Sequence, residues 1–431
     1  MATVMPDVKD DLGGLGLYGW VFSGFFLASL VGTVLAGELA DRQGLVLPFV
    51  LGLVAFGVGL VVGGLATSMP MLIAGRLAQG IGAGAIPATG YASIGRGYPA
   101  ALQPRVFAVL STAWVVPGLV GPAAAVGIEH AASWRWVFLA LVPLVVLAGV
   151  LAVPALAALD HARAVDPVPP AGTSTSDGTR TRVPRVLVLV IGVGAVFSAG
   201  STDLLLVVGA LLVAGVAAAG WAFRGLVPPG TLRLAPGVPA TVAIRGLLTF
   251  TFFAADAYVP LAITDGRGAA AWVGGLALSV SALAWAIGSW VQARFVHVAG
   301  PRRLVRIGLI LIVLATVLLI LVARGWPVWV AVAAWAISGA GMGLAYAPLS
   351  LTVLGEAAPG EEGTASAALI LSDALGIAVG TGAGGWIVAL ADGRDWPVST
   401  GTAWVFALAC TVGMFGLWGA RRLPGAVPAM R

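Results

Sequence analysis

Long apolar runs alternate with short polar turns along most of the chain, and the runs are too long to be strands. They lie at roughly 17–37, 45–66, 70–94, 104–128, 136–158, 185–200, 203–223, 239–263, 271–292, 304–323, 327–349, 364–391 and 402–420. Most reach the ~20 residues that carry an α-helix across a bilayer. The pattern predicts an all-α, multi-pass membrane protein. Residues 185–200 and 203–223 form a closely spaced pair, divided by Gly200, Ser201, Thr202 and Asp203.

Composition agrees: 59% of residues are hydrophobic and 10% charged, against about a quarter charged in soluble domains. One cysteine, Cys410, excludes an internal disulfide. The net charge of +5 matters through its distribution, because Lys and Arg gather in cytoplasmic loops. Placing "GELADRQG" (37–44) inside puts Arg42, Arg96, Arg105, Arg163, Arg224, Arg233, Arg302, Arg303 and Arg421 on one side. Only Lys9, Arg135, Arg267, Arg324 and Arg394 fall on the other. The cell membrane and a cytoplasmic C-terminus are therefore expected.

"DHARAVDPVPPAGTSTSDGTRTRVPR" (160–185) reads as a flexible linker. It divides an N-terminal bundle (1–158) from the extra pair (185–223), a loop (224–238) and a C-terminal bundle (239–431), with 159–184 as the linker. The halves echo one another. "GIGAG" (Gly80, Gly82, Gly84) resembles "GAGMG" (Gly339, Gly341, Gly343), and "GELADRQG" parallels "GSWVQARFVHVAGPRR", pairing Gly37 with Gly288. Duplicated halves around a central site are the usual build of secondary transporters. The opening "MATVMPDVKDDLGG" reads like the last turns of a helix, so most of a first helix is expected to be missing.

These motifs resemble the major facilitator superfamily, and within it the drug:proton antiporters. "GELADRQG" is similar to its loop signature at Gly37, Asp41, Arg42 and Gly44, although Leu45 and Val46 replace the usual basic pair. "GRLAQGIGAGA" is similar to the fourth-helix motif at Arg76, Gln79, Gly80 and Gly82. "PGLVGPAAAVG" keeps Gly121 and Pro122 of the antiporter motif, and "SWRWVFLALVP" resembles the opening of the sixth helix in exporters. The resemblance implies two pseudo-symmetric bundles and export of small lipophilic or cationic compounds in exchange for protons. The extra pair at 185–223 points to the fourteen-helix subgroup. A proton gradient is the implied energy source, with no cofactor, no enzyme activity and no nucleic-acid partner; a monomer in the lipid bilayer is expected. A proton-coupled importer, or a non-transporting or fragmentary membrane protein, stays open as an alternative.

Individual residues carry the mechanism. Hydrocarbon disfavours an ionised carboxylate, so Asp256 in "GLLTFTFFAADAYVPLAI" and Asp373 in "ASAALILSDALGIAVG" are candidate proton-coupling sites. Asp256 sits about five residues, ~7.5 Å, from the middle of its span. Arg245 points the same way ~16 Å off, with Tyr258 flanking. Structural hydrogen bonding is the plainer reading of both acids. Arg76 is the third coupling candidate; the resemblance gives it an acid partner on the first helix, and snorkelling to the interface is its alternative. Asp41 and Arg42 are expected to latch the halves, with Gly37 and Gly44. Gly121-Pro122 is expected to kink its helix. Trp20, Phe25, Gln79, Trp114, Arg245, Tyr258 and Trp285 are candidate pocket residues, the aromatics through cation–π contact. His130, His161 and His297 fall in separate expected loops, suggesting no shared metal site, and no GxxxxGK[ST] appears.

Overall fold

The computed structural model describes residues 2–98, 102, 106, 120–121, 123–165, 182–199, 205–357 and 362–425. Helices account for the architecture, and no strand occurs among the described residues. In chain order they are α1 (Met5–Leu12), α2 (Tyr18–Gln43), α3 (Val46–Gly64), α4 (Met69–Gly97), α5 (Trp134–Leu139) and α6 (Val142–Val165). Then come α7 (Arg182–Ser198), α8 (Leu205–Arg224), α9 (Val238–Asp256), α10 (Val259–Thr264) and α11 (Ala271–Ala299). Last are α12 (Pro301–Ala323), α13 (Trp329–Glu356), α14 (Glu362–Asp392) and α15 (Val398–Gly419).

Ten of the described helical segments are long and apolar enough to cross a membrane. Helix α4 is 29 residues long but is not among them, because glycines, Arg76 and Gln79 dilute its hydropathy. The expected span at 104–128 lies mostly outside the described residues.

Two bundles emerge from the packing. Helices α2, α3, α4 and α6 form the first, and α9 with α11–α15 the second. Glycine positions display their pseudo-symmetry. A methyl on Gly80 or Gly84 would strike the carbonyls of Phe25 and Ser29 in α2; one on Gly339 or Gly343 would strike those of Ser281 and Trp285 in α11. Gly82 meets Gly52 of α3 as Gly341 meets Gly308 of α12. Close backbone approach at small residues is how membrane helices gain contact without a hydrophobic driving force. The repeat also corrects the expected register. Gly32 meets Ile81 as Gly288 meets Ala340, so Gly32, not Gly37, is the counterpart of Gly288. Gly44 and Gly300, both with positive φ (85° and 75°), end their helices equivalently.

Helix α6 runs to Val165, beyond the expected end at 158. The reason is visible at Asp160. Its carboxylate accepts hydrogen bonds from the Leu45 N–H at 2.8 and 2.9 Å and the Val46 N–H at 3.1 Å, satisfying donors at the start of α3 that no side chain there can cap. His161 and His297 likewise belong to α6 and α11 and not to loops.

The bundles meet along α2 and α14. At the end carrying Lys9, Gly19 and Gly385 touch backbone to backbone: a methyl on Gly19 would lie 2.6 Å from the Gly385 Cα. Helix α1 spans the same end. Its Asp11 accepts from Arg135 (2.6 Å) and the Trp134 indole (3.1 Å) beside the first bundle, while Lys9 pairs with Asp265 of the second. The hairpin of α7 and α8 packs through α7 against both α2 and α14.

Candidate functional site

Asp256 is the last residue of α9. Pro260, four residues on, lacks the N–H that would bond the Asp256 carbonyl and crowds that oxygen, so the helix breaks and restarts as α10. In the break, the fully buried Tyr258 donates its hydroxyl to the Thr381 carbonyl at 2.7 Å, and its ring meets Tyr18 of α2 at 5.4 Å. The half-buried Asp256 carboxylate accepts from the indole N–H of the fully buried Trp335 at 2.8 Å.

Asp373 has stronger company. Its Oδ1 accepts from Arg245 Nε at 2.7 Å and its Oδ2 from the Tyr346 hydroxyl at 3.0 Å. Arg245 also donates to the Tyr346 carbonyl at 2.7 Å and lies over that ring, 3.1 Å from its centroid. With the Arg245 side chain 5% exposed and that of Asp373 17%, this is a buried, multiply bonded ion pair. Arg245 therefore belongs with Asp373 and not with Asp256, although the two share helix α9.

An aromatic series joins the acids. Trp335 stacks on Phe252 (5.1 Å), Phe252 meets the edge of Trp285 (5.5 Å), and Trp285 meets Tyr346 (5.5 Å). It continues into the first bundle: Phe253 lies 6.5 Å from Trp285 and 6.3 Å from Phe26, which touches Phe25 edge-on at 5.2 Å. Arg76 sits over Phe25, 4.1 Å from the centroid, and donates to Gln79 Oε1 (2.6 Å) and the Val21 carbonyl (3.1 Å). Among the described residues no ion pair involves Arg76. Arg76, Gln79, Phe25, Trp285, Arg245, Asp373 and Asp256 thus border one continuous interior stretch.

Trp20 is elsewhere. It faces Phe197 of α7 at 6.0 Å, in a cleft of about 590 Å³ shared with Ser23 and Trp386. Of the loop residues, Arg42 pairs with Glu38 on its own helix, and a methyl on Gly37 would meet only open space. Asp41 occupies the last turn of α2. Trp114 and Pro122 lie outside the described residues, and a methyl on Gly121 would meet nothing within 4 Å. Among the described residues no cluster of His, Cys, Asp and Glu fit for a metal ion occurs.

Tyr346, Asp160 and the Lys9–Asp265 pair escaped sequence reading. Tyr346 carried the one usable signal, a hydroxyl inside an apolar span.

The sequence pattern described as "Major Facilitator Superfamily" matches residues 1–381. The chain belongs to the major facilitator superfamily. It is 28% identical to a protein of Mycobacterium tuberculosis (strain ATCC 25618 / H37Rv) named "Probable multidrug-efflux transporter", over 98% of this chain and 91% of that one. It is 26% identical to the multidrug efflux pump SdrM of Staphylococcus aureus (strain N315), over 36% of this chain and 34% of that protein. Among solved structures it is similar in fold to the xylose transporter XylE from E. coli in a partially occluded inward-open conformation. The TM-score is 0.63 at 14% identity, covering 97% of this chain and 92% of that one. An auto-inhibited peptide transporter of the POT family gives a TM-score of 0.64 at 16% identity, covering 97% and 90%. The chain is thus a two-bundle membrane transporter of the superfamily.

Proposed function

We propose that this protein exports small lipophilic or cationic compounds across the cell membrane in exchange for protons, by alternating access of the two bundles. The observation that carries the reading is the isolated carboxylate of Asp256 at the α9–α10 break. Its one hydrogen-bonding partner among the described residues is an indole, and aromatic faces link it to the Asp373–Arg245 pair. Such faces suit a lipophilic cation, and a carboxylate among them can hold either that cation or a proton. Exchange then follows from competition: protonation of Asp256 releases the substrate, and loss of the proton readmits one. Asp373 is the second station, freed for protons when Arg245 turns to another partner.

In this reading the Gly44 end and the C-terminus face the cytoplasm, in accord with the arginine distribution. Protons moving inward gain roughly 2.3 kcal/mol per 100 mV of membrane potential, which drives export without a nucleotide. The resemblance to named multidrug-efflux proteins supports the same direction.

The test uses inside-out vesicles acidified within. Adding a fluorescent lipophilic cation should release protons in proportion to cation accumulated. Cation uptake with no proton movement, or proton flow in the same direction as solute, would rule out antiport.

A further inference from the structure

The α7–α8 hairpin carries a second feature away from the interior. Arg185, near the start of α7, lays its guanidinium against Gly225, just past the end of α8, and its Nη1–H donates to the Gly225 carbonyl at 2.9 Å. Beside it is an open cleft of about 940 Å³ lined by Arg185, Gly220, Trp221, Arg224, Gly225 and Leu232. The lining includes two arginines and no acid, and Arg224 makes no hydrogen bond or ion pair with any described residue.

The cleft opens sideways. Trp221 is 62% exposed, Val216 61% and Leu232 57%, and only 11% of the apolar window of α8 is covered by protein. Two cations sit above a strip of bare hydrocarbon at the end of a membrane-crossing helix. Water-soluble anions need only the first of these features; a phospholipid needs both. Basic pockets at the ends of membrane helices draw anionic headgroups, and a tryptophan at the headgroup level suits the glycerol region.

We infer that this cleft binds an anionic phospholipid, with the phosphodiester against Arg185 and Arg224 and an acyl chain along Trp221, Val216 and Leu232. Because α7 also touches α2 and α14, the lipid would lie on the element spanning the seam between the bundles.

The full-length protein is purified into bilayer discs holding equal parts phosphatidylglycerol and phosphatidylcholine, and the immobilised fraction of each spin-labelled lipid is measured. The wild type should immobilise phosphatidylglycerol preferentially. Each arginine is worth roughly fivefold, so Arg185→Gln with Arg224→Gln should bring the ratio close to one, while Arg224→Lys should keep most of it. Trp221→Ala, which leaves both charges, should weaken immobilisation and provides the readout if the double variant does not fold. An unchanged lipid ratio in the double glutamine variant, or unchanged immobilisation in Trp221→Ala, would overturn the assignment. So would displacement of the label by soluble glycerol phosphate, which would make the ligand a free phosphate, or wild-type ratios near one.

Discussion

The indole N–H of Trp335 reaches 2.8 Å to the carboxylate of Asp256 and ties α13 to the last residue of α9. Trp335→Phe keeps the face stacked on Phe252 but deletes that donor. A hydrogen bond to a charged group contributes about 1.5–3 kcal/mol, so substrate-dependent proton release should fall at least about tenfold, with insertion and expression unchanged. Trp272→Phe, near the end of its helix, should leave it intact.

Asp256→Asn should abolish proton-coupled export and leave binding of an uncharged substrate measurable. Export that keeps its wild-type dependence on pH in this variant would remove Asp256 from the mechanism.

The Arg245–Asp373 pair predicts a different pattern. Asp373→Asn strands a buried guanidinium, and breaking such a pair costs roughly 3–5 kcal/mol; thermal unfolding in detergent should show the loss. Arg245→Met combined with Asp373→Leu should regain most of the stability while transport stays absent. If the double variant transports, the pair is scaffold alone.

Asp160→Asn should cost about 1–2 kcal/mol by weakening the cap on the Leu45 and Val46 N–H groups. Substrate affinity should not change, since the contact lies far from the interior aromatic series.

Glu356, past the apolar part of α13, has a buried carboxylate oxygen without a hydrogen-bonding partner among the described residues, and burial pushes its pKa above the ordinary 4.5. The folded state therefore binds a proton that the unfolded state releases first, so stability falls as pH rises through the window above 4.5. Glu356→Gln should raise the unfolding temperature at pH 7.5, and the gain should vanish in acid. A gain equal at both pH values would assign the effect to shape and not to charge.

Much of this architecture was legible in the residue order. Hydropathy locates the helices because the bilayer imposes one length on all of them, and the glycine triplets at 80–84 and 339–343 do mark matching crossings. What escaped reading depends on neighbours distant in sequence. Asp373 reads as a lone acid because Arg245 is 128 residues away. Asp160 looks like the start of a linker because its partners are N–H groups at Leu45 and Val46, which carry no side-chain signature. The pairing of Gly37 with Gly288 failed for a related reason: similar-looking loops outweigh the less conspicuous Gly32, whose contact with Ile81 sets the true register.

The crossing of Gly19 and Gly385 sets how that end of the protein can part. Neither residue has a side chain to interlock, so parting these two positions requires no change of rotamer. Such a joint blocks further approach but barely resists being drawn apart. Its resting closure comes from what surrounds it, the buried Tyr18–Tyr258 ring contact and the Lys9–Asp265 pair, so parting this end must expose both an aromatic face and an ion pair.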